Sequence, residues 1–201
     1  MNVDIIILAA GQGKRMQSPL PKVLQPLGGK PLLQHVVDTC SKIEKAKLHI
    51  IVGGQKKLIQ SSINVPKSTN WIIQKKQLGT GHAVKQALSS LRPNSHTVVL
   101  YGDGPLVKIN TLKKLISGTT NDNLSLLTFE AVQPKGLGRI IRQSSSKVSG
   151  IVEEKDATSL EKQIKEVNSG ILATSTKNLK QWLPKLKNNN ASKEYYLTDI
   201  V

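Results

Sequence analysis

Very little in this chain of 201 residues can cross-link, stack or span a bilayer. A single cysteine, Cys40, excludes a disulfide framework, and the helical pattern of apolar residues around it marks a buried thiol in preference to a nucleophile or exchange site. Aromatic residues make up 3% of the sequence, too few for the stacking platforms that grip single-stranded nucleic acid. No apolar run approaches the roughly 20 residues of a membrane span. Met1 leads straight into a strand-like run without a charged n-region or an apolar h-region, so a cytoplasmic protein is expected. Internal repeats, linkers and low-complexity tracts are absent from the pattern, and His35, His49, His82 and His96 are spread without metal-ligand spacing.

Acidic residues are also scarce. Asp and Glu number 13 against 29 Lys and Arg, giving a net charge of +16 that raises nucleic-acid binding as an option. Yet 25 of those cations are lysine, scattered along the whole chain, whereas base-edge readout and bidentate phosphate clamps favour arginine. A solvated lysine-rich surface is the better reading.

What is present is the pattern of one folded α/β domain, with 38% hydrophobic residues, 15 Gly and 9 Pro. Short β-branched runs at Val3 to Leu8, Leu48 to Val52, Trp71 to Ile73 and Thr97 to Tyr101 alternate with helical spacing at Leu32 to Ile43, Lys56 to Ile63, His82 to Leu91 and Ile109 to Ile116. That alternation predicts right-handed βαβ crossovers and a doubly wound, mostly parallel sheet of Rossmann-like kind, with ligands beyond the carboxyl ends of the strands. Strands are also expected at Ser125 to Val132 and Val167 to Thr174. Two more, at Arg139 to Arg142 and Lys147 to Val152, predict a small β-insert along one wall of a cleft. Helices are expected at Asn178 to Leu186 and from Glu194 onward.

The stretch LAAGQGKRMQSPLPK, Leu8 to Lys22, follows the first strand. Gly11 and Gly13 let the backbone turn tightly and offer bare N–H groups to phosphate oxygens. The dinucleotide fingerprint fails where Met16 replaces its third glycine, and the P-loop fails for want of its Gly-Lys-Ser/Thr ending. What remains is a glycine loop carrying Lys14, Arg15 and Lys22, three cations for one polyanion. Asp103 leaves an apolar strand in YGDGPL, either as a hard oxygen ligand suited to Mg²⁺ or as the cap of the next turn. Gln74 and the glycine loop QLGTGH offer an amide and small-residue backbone to a uracil edge, or are a plain helix-entry turn.

The segment LAAGQGKRMQSPLPKVLQPLGGKPLLQHVVD resembles the signature of sugar-nucleotide pyrophosphorylases. In detail it is similar to the N-terminal domain of the bacterial bifunctional N-acetylglucosamine-1-phosphate uridyltransferase/glucosamine-1-phosphate acetyltransferase family. The later motifs QLGTGHA, YGD, GLGRI, GIVEEKDA and EVNSGIL resemble that family at similar intervals across essentially all 201 residues. The resemblance implies a nucleotidyltransferase that moves UMP from UTP to N-acetylglucosamine 1-phosphate for cell-wall precursors. It assigns Leu8, Ala9, Ala10, Gly11 and Lys22 to the nucleotide, with Arg15 and Lys22 catalytic. Gln74, Gly79 and Thr80 fall on the uridine, and Tyr101, Gly102 and Asp103 on the site, Asp103 as the Mg²⁺ ligand. Gly138, Glu153 and Asn168 fall on the sugar, although Glu153 also reads as one of several solvated charges beside Glu154 and Lys155.

The departures are as definite. In that family a second magnesium ligand, an asparagine, and a left-handed β-helix acetyltransferase domain lie beyond the position of Val201, and Gly104 stands where a larger apolar residue is common. Residues 1–201 are therefore expected to form a pyrophosphorylase domain incomplete at its C-terminus, and a monomer without the β-helix domain. The alternatives are a nucleotide-binding remnant of little activity or a sister enzyme of other sugar or base specificity.

Overall fold

The computed structural model describes every residue except Gln12, Lys14, Arg15 and Ser146. In chain order the strands are β1 (Val3–Ala9), β2 (Pro26–Leu27), β3 (Lys30–Pro31), β4 (Ala46–Val52), β5 (Asn70–Ile73), β6 (His96–Tyr101), β7 (Leu124–Glu130), β8 (Arg139–Ser144), β9 (Lys147–Val152) and β10 (Glu166–Ser175). The helices are α1 (Leu32–Cys40), α2 (Lys56–Ser62), α3 (Thr80–Ala87), α4 (Ile109–Ser117) and α5 (Thr176–Trp182).

The expected parallel sheet is there. Strands β5, β4, β1 and β6 lie side by side in that order and pair in parallel. Beyond β6 the chain reverses in β10, which pairs antiparallel with β6, β7 and β8, and β9 returns antiparallel to β8. Hence β5, β4, β1, β6, β7 and β8 all run one way, and only β10 and β9 oppose them. The expected β8–β9 hairpin is present. It joins the main sheet through the pair Val167 and Arg139, where β10 bulges between Asn168 and Ile171.

Alternation along β1 explains the two covering layers. Ile5 and Ile7 face Leu33, Val36 and Val37 of α1, Ile59 of α2 and Leu112 of α4, whereas Ile6 and Leu8 face Ala83 and Val84 of α3 and Leu179 of α5. Burying each such leucine or isoleucine is worth about 1.5–3 kcal/mol, so the central strand is held from both sides. Cys40 sits in the first layer with no exposed surface, and burial pushes its thiol up to about 12, in keeping with an inert packing role.

One polar group interrupts this apolar strand. Asp4 is fully buried near the amino ends of the strands, where His49 Nε2 (2.9 Å), Ser95 Oγ (2.5 Å) and both the backbone N–H and the guanidinium of Arg92 converge on its carboxylate. Asn70 Nδ2 donates to the other His49 nitrogen at 3.3 Å, so a ring with hydrogen on Nε2 satisfies both contacts. Burial alone would raise the Asp4 carboxyl, but these hydrogen bonds outweigh it and hold the group below its usual value.

Two expectations near the C-terminus are corrected. The helix expected at Asn178 to Leu186 begins earlier, at Thr176, because the Ser175 hydroxyl caps it by accepting from Asn178 N at 3.1 Å, and it gives way to a 3-10 turn after Trp182, where Pro184 lacks an N–H. The segment from Glu194 does not start an α-helix. Its backbone is committed elsewhere: Tyr195 N donates to Leu78 O (2.8 Å), Tyr195 O accepts from Gly81 N (2.8 Å) and Leu197 N donates to Thr80 Oγ1 (3.0 Å), leaving one 3-10 turn at Leu197–Ile200.

Candidate functional site

The carboxyl ends of β1, β5 and β6 open on one cleft of about 840 Å³. From the exit of β1 it is lined by Leu8, Ala10, Gly11 and Gly13, from the following turn by Lys22, from the exit of β5 by Gln74 and Gln77, from the start of α3 by Gly79 and Thr80, and from the end of β6 by Tyr101 and Asp103. Of the residues expected in the opening stretch, Ala9 turns its side chain into the first core layer away from the cleft, while Leu8 packs in the second layer and also lines the cleft. Arg15 and Lys14 lie outside the described residues.

Lys22 opens a 3-10 turn, Lys22–Leu24, that is anchored by buried Val23 and Leu24. Its side chain leaves alongside Gly13, where an added Cβ would sit 2.8 Å from that of Lys22, so only glycine fits there. Across the cleft, Gly102 N donates to Leu8 O at 2.9 Å and carries the β1–β6 ladder one residue further, which presents Asp103 at the rim. Lys22 Nζ and Asp103 Oδ2 meet at 2.5 Å. Among the described residues no backbone N–H donates to the Asp103 carboxylate, so it is not the cap of the following turn; Gly104 N donates to Tyr101 O instead.

On the opposite wall Gln74 is buried. Its Nε2 donates to Gly79 O and to His82 Nδ1, both at 3.1 Å. Burial, with help from Lys85, lowers the His82 ring and favours the neutral, accepting form. Gly79 has φ +107°, and a Cβ there would lie 2.6 Å from Tyr195 O. Its lack of a side chain therefore lets the C-terminal segment pack against the loop. Thr80 accepts from Leu197 N through Oγ1 and keeps its own O–H free to donate.

A second cluster adjoins the cleft through Tyr101. Asn168 N donates to Gly138 O at 2.9 Å, and the Glu153 carboxylate lies 3.4 Å from where a Gly138 Cβ would be. Thr198 Oγ1 donates to Glu153 Oε1 at 3.0 Å. Burial, followed by repulsion from Asp199 and Asp156, raises the Glu153 carboxyl, and the Thr198 hydrogen bond opposes that rise. Glu153 is thus not a solvated charge, and neither is Glu154, which pairs with the buried Arg139 Nη2 at 2.7 Å and accepts from Gly136 N at 3.0 Å. The Tyr101 ring covers Gly170 on β10, and burial with the nearby Glu153 and Asp103 carboxylates pushes its hydroxyl up to about 12.

Three contributors are not among the residues singled out from the sequence. Gln77 reaches Ala10 O, Glu194 lines the cleft, and Thr198 holds Glu153. Gln77 stands inside the glycine loop already noted, so its position was a signal; Glu194 and Thr198 reach the site only through long-range packing. Among the described residues no group of three or more His, Cys, Asp or Glu side chains could hold a metal by itself.

The description "MobA-like NTP transferase domain" matches residues 5–156. Over 199 residues the chain is 50% identical to the "Bifunctional protein GlmU" of Cellvibrio japonicus and 51% identical to that of Dechloromonas aromatica, covering 99% of this chain and 44% of each relative. The chain thus spans less than half the length of these curated relatives. Among solved structures, a UDP-glucose pyrophosphorylase complexed with UDP-glucose superposes with a TM-score of 0.78 at 18% identity, over 100% of this chain and 85% of that one. The inositol-1-phosphate CTP transferase of T. maritima superposes with a TM-score of 0.76 at 16% identity, over 98% and 78%. At such identities these two establish a shared fold.

Proposed function

The chain belongs to the family of MobA-like NTP transferase domains, and from that premise we propose that it transfers UMP from UTP to N-acetylglucosamine 1-phosphate, releasing pyrophosphate and supplying a cell-wall precursor. The 50% identity to bifunctional GlmU proteins supports this choice of base and sugar. The observation that carries the chemistry is the meeting of Lys22 and Asp103 at the mouth of a cleft walled by the glycine loop. A volume of about 840 Å³ accommodates a nucleotide with a sugar phosphate beside it.

A phosphate oxygen of the sugar 1-phosphate attacks the α-phosphorus of UTP, the bond from that phosphorus to the bridging oxygen breaks, and pyrophosphate leaves with the electron pair. No protein nucleophile is required. Negative charge is the obstacle, and the Lys22 ammonium with the N–H groups of the glycine loop lowers it as the two phosphates close. Arg15 is proposed as a second cation on the resemblance alone. The Asp103 carboxylate, which already attracts a cation in Lys22, fits a hard divalent ion: Mg²⁺ held by Asp103, phosphate oxygens and water would neutralise charge on the phosphates. Gln74, Gly79 and Thr80 hold the uridine, with Leu8, Ala10 and Gly11 along its phosphates. Tyr101, Gly138, Glu153 and Asn168 receive the sugar, the last two through hydroxyl and amide hydrogen bonds.

The same reading makes the chain a cytoplasmic monomer; no helix among the described residues is long and apolar enough to cross a membrane. Incubation with UTP, N-acetylglucosamine 1-phosphate and Mg²⁺, counting pyrophosphate, tests the proposal. Release that disappears when either substrate is exchanged for another nucleotide or sugar phosphate supports it. UTP binding by calorimetry without release would instead mark a nucleotide-binding piece with no turnover.

A further inference from the structure

Gln77 makes a contact that the chemistry above does not use. Its Nε2 donates to Ala10 O at 2.6 Å, joining the loop after β5 to the exit of β1 across 67 residues of sequence. Gly53, at the exit of β4, sits beneath both: an added Cβ would come 3.2 Å from Ala10 O and 3.2 Å from Gln77 Nε2. Three strand ends meet at this one carbonyl. The Gln77 side chain is exposed, so one hydrogen bond there is largely offset by the freedom the side chain gives up, and fold stability is a poor explanation for it.

The peptide geometry supplies a better one. The Ala10–Gly11 unit is planar and trans, so its C=O and N–H point in opposite directions and cannot turn independently. Holding the Ala10 oxygen therefore fixes where the Gly11 N–H points, in a loop where glycine would otherwise let the peptide rotate freely. Gly11 lines the cleft. We infer that Gln77 is a positioning residue of the nucleotide site: it aims the Gly11 amide at the phosphates and ties the phosphate side of the cleft to its base side. The inference rests on the reading of this cleft as a nucleotide site.

Calorimetry on the full chain with Mg²⁺, using UTP and uridine in turn, tests it with two variants. Gln77→Ala removes the donor; Gln77→Glu keeps the shape and turns a carboxylate toward the carbonyl. Both are expected to weaken UTP about tenfold or more while changing uridine affinity less than twofold, with melting temperature unchanged and with faster hydrogen exchange at the Gly11 amide. A purely structural role would lower UTP and uridine affinity together, and that result overturns the proposal. Unaltered UTP affinity in both variants, or unaltered exchange at Gly11, overturns it as well. Wild-type protein that binds no UTP overturns the reading of the cleft and this proposal together, whereas normal wild-type binding with unaffected variants overturns the proposal alone.

Discussion

Lys22 Nζ rests 2.5 Å from Asp103 Oδ2, joining the turn after the glycine loop to the end of β6. Both side chains remain open to solvent, 47% and 24% exposed, so the pair adds only about 0–1 kcal/mol to stability. Backbone packing brings them together: buried Val23 and Leu24 seat Lys22, and the Gly102–Leu8 hydrogen bond seats Asp103. Attraction between them is a consequence of that placement.

Stability and turnover should therefore separate at this pair. Lys22→Ala and Asp103→Asn are expected to melt within about 4 °C of the wild type while losing roughly 10²–10³-fold in pyrophosphate release. Calorimetry beside a turnover assay checks both halves, and full turnover in either variant would remove that residue from the chemistry.

Gly79 is the position where a methyl group should do most harm. At φ +107° an alanine is strained, and its Cβ would meet Tyr195 O at 2.6 Å. The expected result for Gly79→Ala is a loss of about 2 kcal/mol or more, since strain of about 1–3 kcal/mol adds to the displaced contact. Exchange of the Tyr195 and Leu197 amides should quicken, and protected amides in the variant would show that the loop tolerates the change.

Under the proposed function, the raised Glu153 carboxyl should set an acid limit on sugar binding. Its ionised form offers both oxygens as charged acceptors to hydroxyls, whereas protonation turns one into a donor, so kcat/KM for the sugar phosphate should fall with decreasing pH from above the ordinary value of 4.5. Thr198→Ala deletes the hydrogen bond that favours the charged form and should move this limb to higher pH, while Asp156→Asn, which removes a repelling charge, should move it lower. A limb that stays in place in both variants would detach Glu153 from sugar binding.

At the far end of the sheet, Asp4 should govern acid stability. Its folded value is depressed, so its contribution is fully present above the ordinary 3.8 and is lost as pH falls through the folded value. Asp4→Asn is expected to destabilise by about 3–5 kcal/mol at pH 7, leaving His49 and Arg92 facing a neutral group. Urea titrations at pH 7 and below pH 3.8 should show the difference from wild type shrinking at the acid end; a constant difference would mean that ionisation of Asp4 is not what matters.

Local sequence carried the parallel half of the fold, because β1, β4 and β6 are largely buried on both faces and read as mostly apolar runs, and Trp71 to Ile73 of the half-buried strand β5 repeat the pattern. It brought Lys22, Gln74 and Asp103 to the cleft for the same reason: each stands directly beyond such a run or its glycine loop. Where pairing across long separations decides, it was silent. Residues Glu194 to Val201 look helical in isolation, yet their hydrogen bonds belong to Leu78, Thr80 and Gly81. Asp4 falls within an apolar run, and its partners come from distant segments, His49 from β4 and Arg92 and Ser95 from the loop before β6.

Binding of Mn²⁺ in the presence of UTP, followed by electron paramagnetic resonance in wild-type protein and in Asp103→Asn, bears most closely on the shared crevice. Wild-type protein should hold the ion together with the nucleotide, and the variant should lose at least tenfold in ion affinity while remaining folded. Equal affinity in the two proteins would place the metal and the triphosphate away from Asp103 and contradict the proposed site.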